Sequence, residues 1–208
     1  MLLLGYAVEM YLKAGIAKAY HGCSEEMFER DTQYRFGHRQ LDMAKEIAFP
    51  FGVGDSAHFK AIEKMVRIDA RYPLSVPDSA NFADEINAQT RRVWSAENYD
   101  EFCDVANRVR RHADAIDQDR HDPAFFLSRR LGEDGYLIFR IGGHLPPRIT
   151  YRQSATQHVA GGMTPEQIKS LFDGERYIQL HQYWQFADIL EDTPSKTKVW
   201  QKRNRTRP

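Results

Sequence analysis

Leu2-Leu3-Leu4-Gly5-Tyr6-Ala7-Val8-Glu9-Met10-Tyr11-Leu12-Lys13-Ala14-Gly15-Ile16-Ala17-Lys18-Ala19-Tyr20 is the stretch on which the fold class turns. It is rich in good helix formers, holds no proline and meets a stop at Gly22. Apolar residues run almost all the way round the helical wheel, the pattern of a central helix buried on most sides. Glu9 and Lys13 break that pattern at i and i+4, in the favourable order. A buried charge is costly unless paired, so the two are expected to satisfy each other, with His38 or Arg71 as further partners. The same four residues are the candidate ligand-binding set, a polar pocket inside the bundle for a nucleotide or an RNA phosphate. Glu9 and Lys13 also cut the apolar run far short of the roughly 20 residues of a membrane span. No basic region precedes it, so neither a membrane helix nor a signal peptide is expected.

Outward from this helix, residues 38–49 read as a second helix closed by Pro50, with Leu41, Ala44, Ile47 and Ala48 on one face. Ser56 can cap a third, whose face carries Phe59, Ile62, Val66 and Ala70. Tyr72-Pro73 breaks that helix and residues 73–81 form a loop. Ser95 or Asn98 starts a long amphipathic helix with Tyr99, Phe102, Ala106, Val109, Ala113 and Ile116 at helical spacing. After Asp117 the texture changes. A polar stretch is followed by two short strands, 136–141 and 148–152, joined through GGHLPP. Thr164-Pro165-Glu166-Gln167 has the form of a capping box, and residues 177–190 read as a final aromatic-rich helix. The expected fold class is mainly α, with three parts. Residues 1–118 form an antiparallel helical bundle, residues 123–193 a small α+β or irregular appendage, and residues 194–208 a basic disordered tail.

The bulk numbers permit a packed core, with 42% apolar and 12% aromatic residues. The formal net charge is zero, so the whole molecule carries no electrostatic pull toward nucleic acid or membrane. The distribution is uneven: residues 1–122 hold 16 basic against 21 acidic side chains, and residues 123–208 hold 13 against 8. Cys23 and Cys103 are the only cysteines and sit in no paired motif, which points to two free buried thiols and a cytoplasmic protein.

The standard catalytic signatures are missing: no phosphate-binding loop, dinucleotide fingerprint, HExxH, GxSxG or CxxC occurs. Asp114, Asp117 and His121 share one helical face, but a solvated helix end explains them, and no metal site or cofactor is expected. Arg152 with His158 and Arg176 with His181 have spacings that 20 Arg and 8 His produce by chance about as often as they occur here.

Gly5-Tyr6-Ala7-Val8-Glu9-Met10-Tyr11-Leu12-Lys13-Ala14 resembles the signature helix of HEPN domains. Gly37-His38 leading into Leu41, Arg71-Tyr72-Pro73 at a helix end, and the long amphipathic helix follow in the order that many bacterial HEPN-like proteins show. The resemblance covers residues 3–116. It implies an RNA- or nucleotide-associated module of a bacterial defence, toxin–antitoxin or stress system. Such a module would be homodimeric and could pair with a nucleotidyltransferase-type or antitoxin protein. RNA-cleaving members carry Arg and His with four to six residues between them on the last helix, where His moves a proton and Arg steadies the phosphate charge. Here the candidate catalytic pair is Arg108 and His112, with only three residues between. That departure favours a non-cleaving binding or regulatory variant. The alternatives are a metal-independent ribonuclease using Arg108 and His112, and a structural helical interaction protein.

Overall fold

The apolar wheel of residues 2–20 forms α1 (Leu2–Ala19) in a computed structural model that describes residues 2–69, 82–157, 162–174, 178–192 and 200–201. The chain divides into two units. The first comprises Met1–Ala19 and Thr32–Ala115, the second Tyr20–Asp31 and Ile116–Pro208. Residues 20–31 thus leave the first-half bundle, with which they were grouped on sequence, and pack with the second unit.

In the first unit α1 buries Val8, Leu12, Ile16 and Ala19, together with Glu9. α2 (Glu25–Arg30) belongs to the other unit. A π-helical turn over Asp31–Phe36 leads to α3 (Gln40–Glu46), and then come α4 (Asp55–Lys64), a second π-helical turn over Met65–Asp69, α5 (Phe82–Trp94) and α6 (Ala96–Ala115). The helix expected over 38–49 is shorter because Ala48 takes a positive φ of 53° before Pro50. α6 lays Phe102, Val105, Ala106, Val109 and Ala113 along one face, the i, i+3, i+4 stripe read from sequence. α1 and α6 are packed together, and Lys18 Nζ donates to the Ala113 carbonyl at 2.7 Å. Gly5 permits close approach, since a Cβ there would overlap Val66 of the second π-helical turn. Ala70, Arg71 and the loop expected at 73–81 lie outside the described residues.

In the second unit β1 (Phe125–Leu131), β2 (Gly135–Gly142) and β3 (Leu145–Arg152) pair antiparallel. β4 (Asp188–Glu191) runs parallel to β3, and β5 (Trp200–Gln201) adds two residues at the edge. The β3–β4 crossover carries α7 (Pro165–Ser170), which starts on the expected Thr164 capping box, and α8 (Ile178–Tyr183). One sheet face (Leu137, Phe139, Ile141, Ile149, Tyr151, Ile189) is sealed by Ile168, Phe172, Trp184 and Ala187. The other carries polar side chains and is met by residues 20–31, including α2, which Ser24 caps by accepting from Met27 N at 3.1 Å.

The expectation of a mainly α chain is therefore corrected: the molecule is α+β, with a mixed sheet, β1 to β4 and the two-residue edge strand β5, at the heart of one of its two units. Two stretches account for the difference. Phe125–Leu131 gave no strand signal, because its burial does not alternate in and out. Residues 177–190, expected as one helix, instead end α8 at Tyr183 and turn through Trp184–Phe186. The backbone then enters β4, where Ile189 and Leu190 are buried on opposite faces. A strand buried on both faces has no two-residue alternation to distinguish it from a helix end.

Candidate functional site

Two clusters in the helical unit hold the described candidate residues. The first is built on α1. Glu9 is 2% exposed, with Lys13 Nζ 2.7 Å from one carboxylate oxygen and His38 Nδ1 2.9 Å from the other. Burial pushes the Glu9 carboxyl up, but the hydrogen bonds from Lys13 and His38 outweigh it and hold the group below its ordinary value. Each oxygen already has a partner, so Glu9 is a poor general base. What the cluster presents outward is the partly exposed pair Lys13 and His38. Gln40, fully buried, donates from Nε2 to the Gly5 carbonyl at 3.1 Å and ties α3 to α1 beside this cluster. The structure thus brings Glu9, Lys13 and His38 together, while Arg71 lies outside the described residues.

The second cluster joins α6 to the connection between α3 and α4. Arg108 and His112, i and i+4 on α6, grip the two ends of that connection. Arg108 makes a two-pronged bond to buried Asp55, with Nη1–Oδ1 at 2.8 Å and Nη2–Oδ2 at 2.6 Å. Its Nη2 also lies 3.3 Å from the Pro50 carbonyl, and its guanidinium carbon sits 5.3 Å from the Phe49 ring centre. His112 Nε2 is 2.7 Å from the Ile47 carbonyl, an acceptor only, so this nitrogen carries the proton. Its ring meets Phe49 edge-on at 5.7 Å. Arg108 holds the Asp55 carboxyl below the usual carboxylate range, and Asp55 raises the guanidinium in turn. A phosphate would have to displace Asp55 from Arg108 and the Ile47 carbonyl from His112.

A feature that the sequence did not announce lies beside this clamp. α4 and α6 flank an open cleft of about 270 Å³, with Ala57, Ala61, Met65 and Phe102 as its apolar surface and His58, Asn98 and Glu101 as its polar groups. His58 Nε2 is 3.2 Å from Glu101 Oε2. His58 follows Asp55 by three residues, and Glu101 follows Asn98 by three, so each pair shares a helix face. That spacing was the available signal, but charged surface helices repeat it too often for it to stand out.

Among the described residues no group of three His, Cys, Asp or Glu side chains is placed to hold a metal, and no helix is long and apolar enough to cross a membrane. Cys23 and Cys103 form no disulfide and are half-buried rather than fully so. His158 and Arg176 lie outside the described residues. Comparison of the chain with family models, with curated proteins and with solved structures finds no match.

Proposed function

We propose that this chain is an RNA- or nucleotide-associated binding and regulatory module, built on an HEPN-like helical bundle, that does not cleave RNA. The observation that carries the reading is the engagement of Arg108 and His112. Both face the same connection, and both spend their hydrogen bonds on Asp55, Ile47 and Pro50. General acid–base work on a phosphate needs a His within reach of the reacting proton and an Arg aimed at the phosphate oxygens. A displacement of about 1 Å can cost a hundredfold. A pair already occupied by the fold supplies structure instead.

The association with RNA or nucleotide rests on the resemblance of residues 3–116. It is supported by the partly exposed Lys13 and His38 side chains, which Glu9 holds in place from beneath. The same resemblance leads us to read the protein as a homodimer of a bacterial defence, toxin–antitoxin or stress system that pairs with a nucleotidyltransferase-type or antitoxin protein, and its cysteine usage leads us to read it as cytoplasmic. The dimer reading is supported by α1, which exposes Leu3 at 83% and Met10 at 51%, two turns apart on one face of an apolar helix.

The test uses the full chain and mixed total RNA in EDTA, beside a His112→Ala control. Retention of RNA without cleavage by either protein is expected. Cleavage by the wild type that the control lacks would make Arg108 and His112 a ribonuclease pair and overturn the non-cleaving reading. Absence of RNA and nucleotide retention would overturn the association itself.

A further inference from the structure

The cleft between α4 and α6 exists because two positions on α4 are small. Ala57 and Ala61 stand one turn apart where longer side chains would close the gap to α6. At about 270 Å³ it sits just under the range of roughly 300–1,000 Å³ common for small-molecule sites, a size for a single ring system rather than a whole nucleotide.

Two of its polar groups, Glu101 and Asn98, share one character. Glu101 is about half exposed, and Oε2 takes the contact with His58. Oε1 has no hydrogen-bond partner among the described residues, and a carboxylate offers about four acceptor positions in all. His58 Nδ1 is buried with no hydrogen-bond partner among the described residues. Asn98 donates its side-chain amide to the Arg91 carbonyl at 3.4 Å, so its Oδ1 is the group left to meet a ligand. A carboxylate and a carboxamide oxygen both accept. A phosphate is thereby disfavoured, and a ligand rich in neighbouring N–H donors is selected. Phe102 contributes an aromatic surface.

We propose that this cleft binds a guanine-type ring, a flat heteroaromatic whose adjacent N1–H and amino N–H donors meet Glu101 while Asn98 Oδ1 accepts beside them. Adenine presents a ring acceptor where guanine presents N1–H, and acceptor against acceptor is left unsatisfied. The ring can come from a free nucleoside or from an unpaired base of RNA. The proposal deepens the RNA- or nucleotide-associated reading and rests on it.

Equilibrium dialysis of the full protein against guanosine, adenosine, spermidine and arginine tests the chemistry. Oligouridylate with and without one central guanine tests the source, all in EDTA. Guanosine, or the guanine-containing oligomer if RNA is the source, is expected to bind at least about tenfold more tightly than its counterpart without guanine. Ala61→Leu, which fills the cleft, should abolish that preference. Glu101→Gln, at an exposed position that leaves folding undisturbed, should weaken it about tenfold. If Ala61→Leu fails to fold, Glu101→Gln decides alone. Tighter binding of spermidine or arginine than of guanosine would overturn the proposal, as would a guanine preference untouched by the folded variants. RNA retained with no base preference would overturn the cleft assignment and leave the broader reading standing. No retention of any RNA or nucleoside would overturn both.

Discussion

The two units satisfy their buried charges by opposite means. In the helical unit the partners are close in sequence or lie on facing helices, and one member of each pair reaches solvent. Lys13 is 29% exposed above Glu9, and Arg108 is 31% exposed above Asp55. In the sheet unit the partners are far apart in sequence and the charge is deeper. Asp192, its side chain fully buried, accepts from Tyr136 Oη at 2.6 Å, Ser24 Oγ at 2.7 Å and Arg152 Nε at 2.9 Å. Burial, and then the bond to Asp192, push the Tyr136 hydroxyl far above its ordinary range. Arg140, 3% exposed, is ion-paired with Asp117. The lesson concerns consequence as well as design. A partly exposed partner can be replaced by water, whereas a fully buried one cannot, so the sheet unit has more to lose from a single substitution.

The comparison can be broken at its strong end first. Asp192→Ala should strand Arg152, Tyr136 and Ser24 and cost about 3–5 kcal/mol, as one-sided removals from buried ion pairs do. Urea titration should show the loss, and amide exchange should place it in β3, β4 and residues 20–31. A midpoint equal to that of the wild type would mean that the deep network does not support the fold.

Arg108→Met should cost less, about 2 kcal/mol, because water can reach the orphaned Asp55 from the side that Arg108 now covers. The pH dependence sharpens the point. The folded-state Asp55 carboxyl lies below its unfolded value, so the pair's contribution is complete above the unfolded value, near 4. It fades as pH falls through the lowered folded value. The stability gap between wild type and Arg108→Met should therefore close in acid, and a gap constant from pH 7 to pH 2 would deny the ion pair its role.

Lys13→Met should have the smallest effect, about 1 kcal/mol, since His38 stays on Glu9 and the lysine is partly solvated. Glu9 obeys the same sign rule, being held below its ordinary value, so this difference too should shrink in acid. A loss as large as that of Asp192→Ala would erase the contrast between the units.

The legible parts of this molecule are those whose signal is local. The α1 helix, the Glu9–Lys13 pair, the apolar stripe of α6, the Thr164 capping box and the GGHLPP hairpin can each be read within a dozen residues. That is the range over which helix propensity, capping and turn chemistry act. The candidate pair Arg108 and His112 was legible as a pair but not as a clamp, because Asp55 at the start of α4 and Ile47 at the end of α3 are brought to it only by tertiary packing. The cleft was less legible still, since two alanines and three polar residues become a site only when two helices face each other.

By itself the sequence determined the helical character of the first unit, the pairing of Glu9 with Lys13 and the β2–β3 hairpin, because these depend on residues within one or two turns. Only the tertiary structure decided that residues 20–31 pack with the sheet unit, that residues 188–191 are a strand, and that Asp192 gathers Ser24, Tyr136 and Arg152. The physical reason is the distance along the chain. Ser24 and Asp192 are 168 residues apart, and no local preference of either encodes the other. The cost of leaving a buried charge unpaired draws such partners together, and that cost is felt only once the core has formed.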